Sequence, residues 1–227
     1  MDLIKKIQLD DFLKKNPSMS IKPSRNDDLI VEGRFYFKAK TKGHKEIDYS
    51  YRIRIIIPSS FPLDIPEVIE LENEIPKTAD FHVNTDDTLC LGSKLRLLRL
   101  LNKNPTLNGY IEYCLVPFLY SVYLKIKCNE EFVFGELAHE MQGIVDDYMK
   151  IFGVGKETIK KTLEMIALNK RVANKKSCPC ECGKRLGKCK FKLHLKINEF
   201  RKYAPRSYYD KYIQSWERKS NCVSSKS

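Results

Sequence analysis

A chain of 227 residues is long enough to bury one sizeable core and to carry a small extra module, and its 42% apolar content excludes global disorder. The net charge of +12 is uneven: residues 156–227 hold 20 Lys and Arg against 6 Asp and Glu, whereas residues 1–155 hold 21 against 23. We therefore predict a nearly neutral domain over 1–155 and a basic module over 156–227. Such a module is attracted to nucleic acid or to an acidic protein surface, unless its lysines are simply solvated.

Nothing in the chain has the pattern of a secretory signal or a membrane span. The first residues alternate charged and apolar side chains, and the longest apolar run, 114–124, contains a proline and eleven residues where a bilayer requires about 20. We expect a cytoplasmic protein with no membrane partner. Its eight cysteines are then mostly reduced, so that clustered cysteines indicate a metal.

The first part of the chain predicts one helix and three strands. Residues 3–15 place apolar side chains on one helical stripe, which ends at Asn16-Pro17. Alternating apolar residues predict strands over 29–40 and 49–57, which form an antiparallel hairpin, and a shorter strand over 67–72.

Helices dominate after residue 93. Patterns at 93–103, 106–126, 135–153 and 156–176 each predict a helix, the second kinked by its internal Pro117. A helix, then strands, then helices is typical of an α+β fold with an antiparallel sheet.

The loop "FHVNTDDTLCLGS" (81–93) contains a single cysteine between two leucines. Cys90 is a packed thiol, a metal ligand or a nucleophile. The apolar neighbours favour packing, whereas the polar turn just before them favours a site at a loop edge.

Residues 31–152 resemble a ubiquitin-conjugating enzyme (UBC-like) domain, with details closest to bacterial relatives of that family. The stretch "IRIIIPSSFPLDIPEVIEL" is similar to the family's apolar strand followed by an aromatic-proline pair, here Phe61-Pro62. "HVN" and "LCL" are similar to its His-Pro-Asn and active-cysteine segments, with Val83 in place of proline and a shorter loop between them.

The resemblance implies a transferase and its site residues. Cys90 would carry a ubiquitin-like modifier as a thioester after transfer from an activating enzyme. Asn84 would support the loop or stabilise the tetrahedral oxyanion. His82 would act as a base or, as we favour, brace the loop. Asp86 and Asp87 are the local acids that can orient an attacking lysine, or are ordinary turn residues.

A second motif, "CPCECGKRLGKC" (178–189), places four cysteines within twelve residues. Such thiolate density is difficult to explain by packing, and zinc suits tetrahedral sulfur ligation. The motif resembles the SEC-C motif, in which Cys178, Cys180 and Cys189 match ligand positions. Either Cys182 or His194 supplies the fourth ligand. We favour His194, because three alternating cysteines crowd one metal.

The C-terminal stretch interleaves aromatic and basic residues, namely Tyr203, Tyr208, Tyr209, Tyr212 and Trp216 among lysines and arginines. These rings either stack on nucleic-acid bases or pack a helix onto the zinc module. Two hypotheses for the whole chain result. The preferred one is a modifier-carrying transferase with a basic zinc-bound docking module. The alternative is a non-catalytic UBC-like adaptor that binds a protein or nucleic acid through residues 156–227.

Overall fold

The computed structural model describes residues 3–24, 26–133 and 140–224, without the side chains of 140, 141 and 216–224. The chain divides into two compact units, an N-terminal unit (Met1–Glu136) and a C-terminal unit (Leu137–Ser227). Residues 140–155 therefore group with the C-terminal unit, whereas the change in charge predicted a boundary at 155.

The N-terminal unit is built on a four-stranded antiparallel sheet whose strands follow one another in chain order. The strands are β1 (Met19–Lys22), β2 (Leu29–Ala39), β3 (Ile47–Ile57) and β4 (Glu67–Glu70). β2 and β3 pair over their full length, which confirms the predicted hairpin. Because successive side chains of a strand point to opposite faces of the sheet, Val31, Phe35 and Phe37 of β2 lie together on the buried face.

Strand β1 was not among the three strands predicted from the sequence. Of its four residues only Met19 is buried, so the segment has too little alternation to signal a strand. Its state is decided by pairing with β2, where Met19 lies opposite Gly33. A Cβ at Gly33 would come within 2.0 Å of the Ser18 carbonyl oxygen, which explains a glycine inside a strand.

Two of the predicted helices are interrupted. The first is split into α1 (Leu3–Ile7) and α2 (Leu9–Lys15) by Gln8, whose φ of 56° is left-handed. The long apolar helix begins as α4 (Leu107–Tyr110) and continues as α5 (Val116–Cys128), after a π-helical turn between them. That turn precedes Pro117, which has no N–H to donate and whose ring crowds the carbonyl four residues earlier.

The core of the N-terminal unit lies between the sheet and the helices, where the side chains of Tyr51, Ile53, Tyr110 and Leu119 are fully buried. A short amphipathic helix, α3 (Lys94–Leu101), begins directly after the Cys90 loop and is capped by the Ser93 hydroxyl. Among the described residues, no helix has both the length and the apolar character to cross a bilayer.

The C-terminal unit is helical. Its helices are α6 (Glu140–Phe152), α7 (Ile159–Ala167), α8 (Lys170–Ala173), α9 (Leu193–Tyr203) and α10 (Arg206–Ser224). Residues 135–139 of the helix predicted over 135–153 lie outside the described residues. The single basic helix predicted over 156–176 is divided after Ala167, where Leu168 becomes extended and Asn169 caps α8.

Most of the interleaved aromatic residues belong to this helical core. Tyr209 is buried and its hydroxyl donates to the Phe200 carbonyl, while the Tyr212 hydroxyl contacts that of Tyr148. The Tyr203 ring packs against Phe200. The Trp216 side chain lies outside the described part. These contacts support packing rather than base stacking for the three tyrosines.

Candidate functional site

Backbone hydrogen bonds attach the Cys90 loop to β4, the strand at one edge of the sheet. Val83 and Leu89 form an antiparallel bridge, and the Leu89 N–H donates to the Val68 carbonyl of β4 at 2.7 Å. The Cys90 N–H donates to the His82 carbonyl at 2.7 Å. These bonds hold Cys90 at the point where the chain leaves the sheet edge for helix α3.

The turn inside this loop is organised by Thr88, a residue that no sequence pattern marks. The Asn84 amide donates to the Thr88 hydroxyl at 2.9 Å, and the Asp86 carboxylate accepts the Thr88 N–H and hydroxyl at 3.1 and 2.6 Å. The hydroxyl and backbone bonds from Thr88 lower the pKa of Asp86. Asp87 instead forms an ion pair with Lys77 at 2.8 Å.

Cys90 and Asn84 line the same cleft, which has a volume of about 520 Å³. Its walls also carry four carboxylates and one ammonium group, those of Asp28, Asp64, Glu67, Asp86 and Lys94. The Lys94 ammonium group binds Asp64 at 2.8 Å. A partly apolar cleft with a few converging polar groups is the usual form of a small-ligand site.

The Cys90 side chain is half-buried, less exposed than a surface thiol and more exposed than a core thiol. Burial raises its pKa, and the N–H of Gly92 opposes this by donating to the sulfur. Cys90 belongs to no cluster of metal-ligating side chains in the part of the chain that the structure describes. Packing and nucleophilic chemistry remain as the two hypotheses for this residue.

His82 is joined to Cys90 by the backbone hydrogen bond described above, but it does not line the cleft. Its backbone is left-handed, with a φ of 54°, and its ring meets the Phe132 ring edge-on at 4.8 Å. Together with the bond from Cys90 to its carbonyl, this packing favours His82 as a brace of the loop.

The second site is the cysteine cluster of the C-terminal unit. The sulfur atoms of Cys178, Cys180, Cys182 and Cys189 all lie within 4.8 Å of one another. A zinc ion bound by four thiolates at about 2.3 Å holds its sulfurs about 3.8 Å apart, which fits this spacing. The four side chains can therefore hold a metal ion such as zinc.

The structure places Cys182, and not His194, in this group. Left-handed backbone at Glu181 and Gly183 curls the chain, so that the three alternating cysteines converge on one point. The N–H groups of Lys190 and Lys184 donate to the Cys182 sulfur and lower its pKa to about 6, whereas burial raises the pKa of Cys178. The grouping favours Cys182 over His194 as the fourth ligand.

Comparison of the chain with models of protein families, with curated protein sequences and with solved structures finds no match.

Proposed function

We propose that the chain is a ubiquitin-conjugating-enzyme-like transferase that carries a ubiquitin-like modifier as a thioester on Cys90. The observation that carries the proposal is that Cys90 and Asn84 line one cleft at the edge of the sheet. The antiparallel order β1 to β4, followed by the cysteine loop and then helices, supports it, because this is the arrangement that the resemblance implies.

The proposed chemistry is thioester exchange followed by aminolysis. The Cys90 sulfur attacks the thioester carbonyl carbon of the modifier on its activating enzyme; a new C–S bond forms, and the old thiolate leaves and takes a proton. An acceptor amine then attacks the same carbon, and the Cys90 thiol leaves as the amide forms. Such exchange tolerates the raised pKa of Cys90, because the incoming thioester is already activated.

Asn84 and Asp86 have distinct proposed roles. The Asn84 amide has two N–H groups; one donates to Thr88, and the other can donate to the oxyanion formed when the acceptor amine attacks. Asp86 remains ionised, because its pKa is lowered, and it lines the cleft, so it can orient the ammonium group of an acceptor lysine. Asp87, held by Lys77, does not line the cleft.

We further propose that the metal of the cysteine cluster is zinc and that it folds a docking module for protein or nucleic acid. A second function, the non-catalytic adaptor, is favoured by one observation. Burial is the largest influence on the Cys90 thiol and raises its pKa, which is typical of an inert cysteine. The adaptor retains the fold and the metal and lacks thioester chemistry.

The test is formation of a thiol-cleavable conjugate with ATP and with any adenylating enzyme and ubiquitin-like modifier that are encoded beside the gene. Cys90→Ala should abolish the conjugate, and Cys90→Ser should leave an oxyester that resists thiol reductant. Asn84→Ala should load normally but discharge to lysine roughly 100-fold more slowly.

The matched control is Cys128→Ala, because Cys128 is half-buried in the same unit but does not line the cleft. It should load at the native rate. A conjugate that persists in Cys90→Ala, or a native chain that never loads, would refute the transferase and support the adaptor.

A further inference from the structure

Among the described residues of the C-terminal unit, one large aromatic side chain is mostly exposed to solvent. Phe191 is 69% exposed, and both neighbours, Lys190 and Lys192, are exposed. A single exposed apolar side chain is common at protein surfaces, but a flat ring flanked by two exposed cations is an arrangement that can also serve as a stacking platform. Phe191 has no distinguishing mark in the sequence, where it is one apolar residue close to the aromatics of the following helices.

The position of Phe191 is defined by its neighbours. The Lys192 N–H donates to the carbonyl of the buried Cys189 at 3.3 Å, which closes a turn with Phe191 near its tip. Lys192 is left-handed, and the next residue, Leu193, is buried as the first residue of α9. The ring therefore projects from a turn held between a candidate metal ligand and a packed helix.

The surrounding charge has one sign. Residues 170–192 contain a single acid, Glu181, and nine basic residues, all exposed. We call these nine residues and Phe191 the basic-aromatic surface. Its basic members are Lys170, Arg171, Lys175, Lys176, Lys184, Arg185, Lys188, Lys190 and Lys192.

None of the nine forms an ion pair with another described residue. Backbone bonds from Leu186 to Lys176 and from Gly187 to Asn174 join the two halves of this segment, so its cations belong to one small module.

We propose that the basic-aromatic surface binds single-stranded nucleic acid, with phosphates neutralised by the lysines and arginines and a base stacked on Phe191. A ring with a cation on either side matches the alternation of base and phosphate along a single strand. A duplex keeps its bases stacked, so a projecting ring reaches them only by unstacking a base step, whereas the bases of a single strand are already free to stack on it. This inference rests on the docking module proposed above and names its ligand. It does not depend on the transferase proposal, whose conjugate assay concerns another unit and another chemistry.

The experiment measures the affinity of the full-length, zinc-loaded chain for a fluorescent oligothymidylate of about twelve nucleotides by anisotropy. Phe191→Ala should weaken binding by about 5- to 150-fold, the range found when alanine replaces an aromatic side chain that stacks on one base. Phe191→Tyr should restore binding and Phe191→Leu should not, because stacking requires a ring. Zinc content of each variant should be unchanged, since the side chain is exposed.

Two controls separate stacking from other modes of binding. Tyr36→Ala, which removes a 60% exposed ring from the N-terminal unit, and Leu195→Ala, which removes a 54% exposed apolar group after Phe191, should leave the affinity unchanged. Replacement of Lys188, Lys190 and Lys192 by glutamine should reduce the salt dependence, the slope of log K against log salt, by about 2.

Three results would overturn the proposal: native affinity in Phe191→Ala, full rescue by Phe191→Leu, or equal loss in Leu195→Ala. The first indicates unspecific charge attraction. The other two indicate an apolar docking surface for an acidic peptide or an anionic membrane. Polyglutamate and anionic vesicles, used as competitors, then distinguish these two ligands.

Discussion

The two units of this protein use charge in opposite ways. The N-terminal unit carries 20 cations and 20 anions, and several of its cations are paired, such as Arg34 with Glu72 and Lys94 with Asp64. The C-terminal unit carries 21 cations against 9 anions, with nine exposed cations close in sequence to the cysteine cluster. Charge in the first unit is balanced and partly paired, whereas the second unit has an excess of cations, nine of which are exposed in residues 170–192.

The units also differ in what holds their sites in place. The Cys90 loop is fixed by hydrogen bonds to a sheet with an extensive core, and Leu89 is buried beside it. The cluster segment, 177–192, contributes few apolar side chains besides Leu186 to its unit. A segment with so small a core would depend on a metal bound by its cysteines, so the comparison predicts that the two units respond differently to metal removal.

The largest expected effect is that of removing the metal. Chelation of the zinc-loaded chain should unfold residues 174–192 and leave the sheet intact, because the metal contributes on the order of 10 kcal/mol to the segment alone. Hydrogen exchange measured by mass spectrometry should show loss of protection there and unchanged protection in β2 and β3. Equal loss of protection in both units would contradict the comparison.

The ligand assignment is tested by elemental analysis of the metal content of single variants. Cys182→Ala should release the metal, and His194→Ala should retain one equivalent, because the structure groups Cys182 with the other three sulfurs. Cys128→Ala, which removes a thiol outside the cluster, is the control. Retention in Cys182→Ala with release in His194→Ala would restore the histidine as the fourth ligand.

A smaller effect is expected at Arg201, which holds the end of α7. Its guanidinium group donates to the carbonyls of Met165, Ile166 and Leu168, at 3.2 Å for Ile166 and 3.1 Å for Leu168. Arg201→Met should destabilise the C-terminal unit by about 3 kcal/mol, because these carbonyls lose a charged donor. Denaturant unfolding should show one shifted transition and one unchanged transition.

Arg206, exposed at the start of α10, provides the matched control, and Arg206→Met should change neither transition. Arg201→Lys should recover only part of the loss, since an ammonium group lacks the planar fork that reaches several carbonyls. A shift of both transitions in Arg201→Met would show that the units do not unfold independently.

The smallest effect concerns the reactivity of Cys90. Burial raises its pKa, so at neutral pH its thiolate fraction lies below that of a free cysteine, and the thiolate appears only as the pH rises through the raised pKa. Iodoacetamide labelling of the Cys90 peptide should be slower than that of glutathione at about pH 7 and increase about tenfold per pH unit towards alkaline pH. A rate that is already constant from about pH 6 to about pH 8 would show an activated thiol.

The strands were predicted best where alternation was long. β2 and β3 each span eleven residues with a clear inward face, and both were predicted close to their observed bounds. β1 was not predicted, because one buried residue cannot establish a period. Its strand state depends on pairing with β2, which a local pattern does not record. The helix breaks at Gln8 and Leu168 were not predicted for a related reason, because the backbone dihedral angles there leave no trace in the pattern of apolar residues.

The candidate sites divide in the same way. Cysteine spacing by itself determined that residues 178–189 can hold a metal, because core packing rarely requires four thiols so close together in a chain, and net charge determined which part of the chain is basic. Only the tertiary structure decided that Cys182 joins the cluster, that Thr88 holds Asn84 and Asp86, and that Phe191 faces solvent. These depend on left-handed turns and on contacts between distant residues, whereas composition and periodicity record only the local preference of each segment.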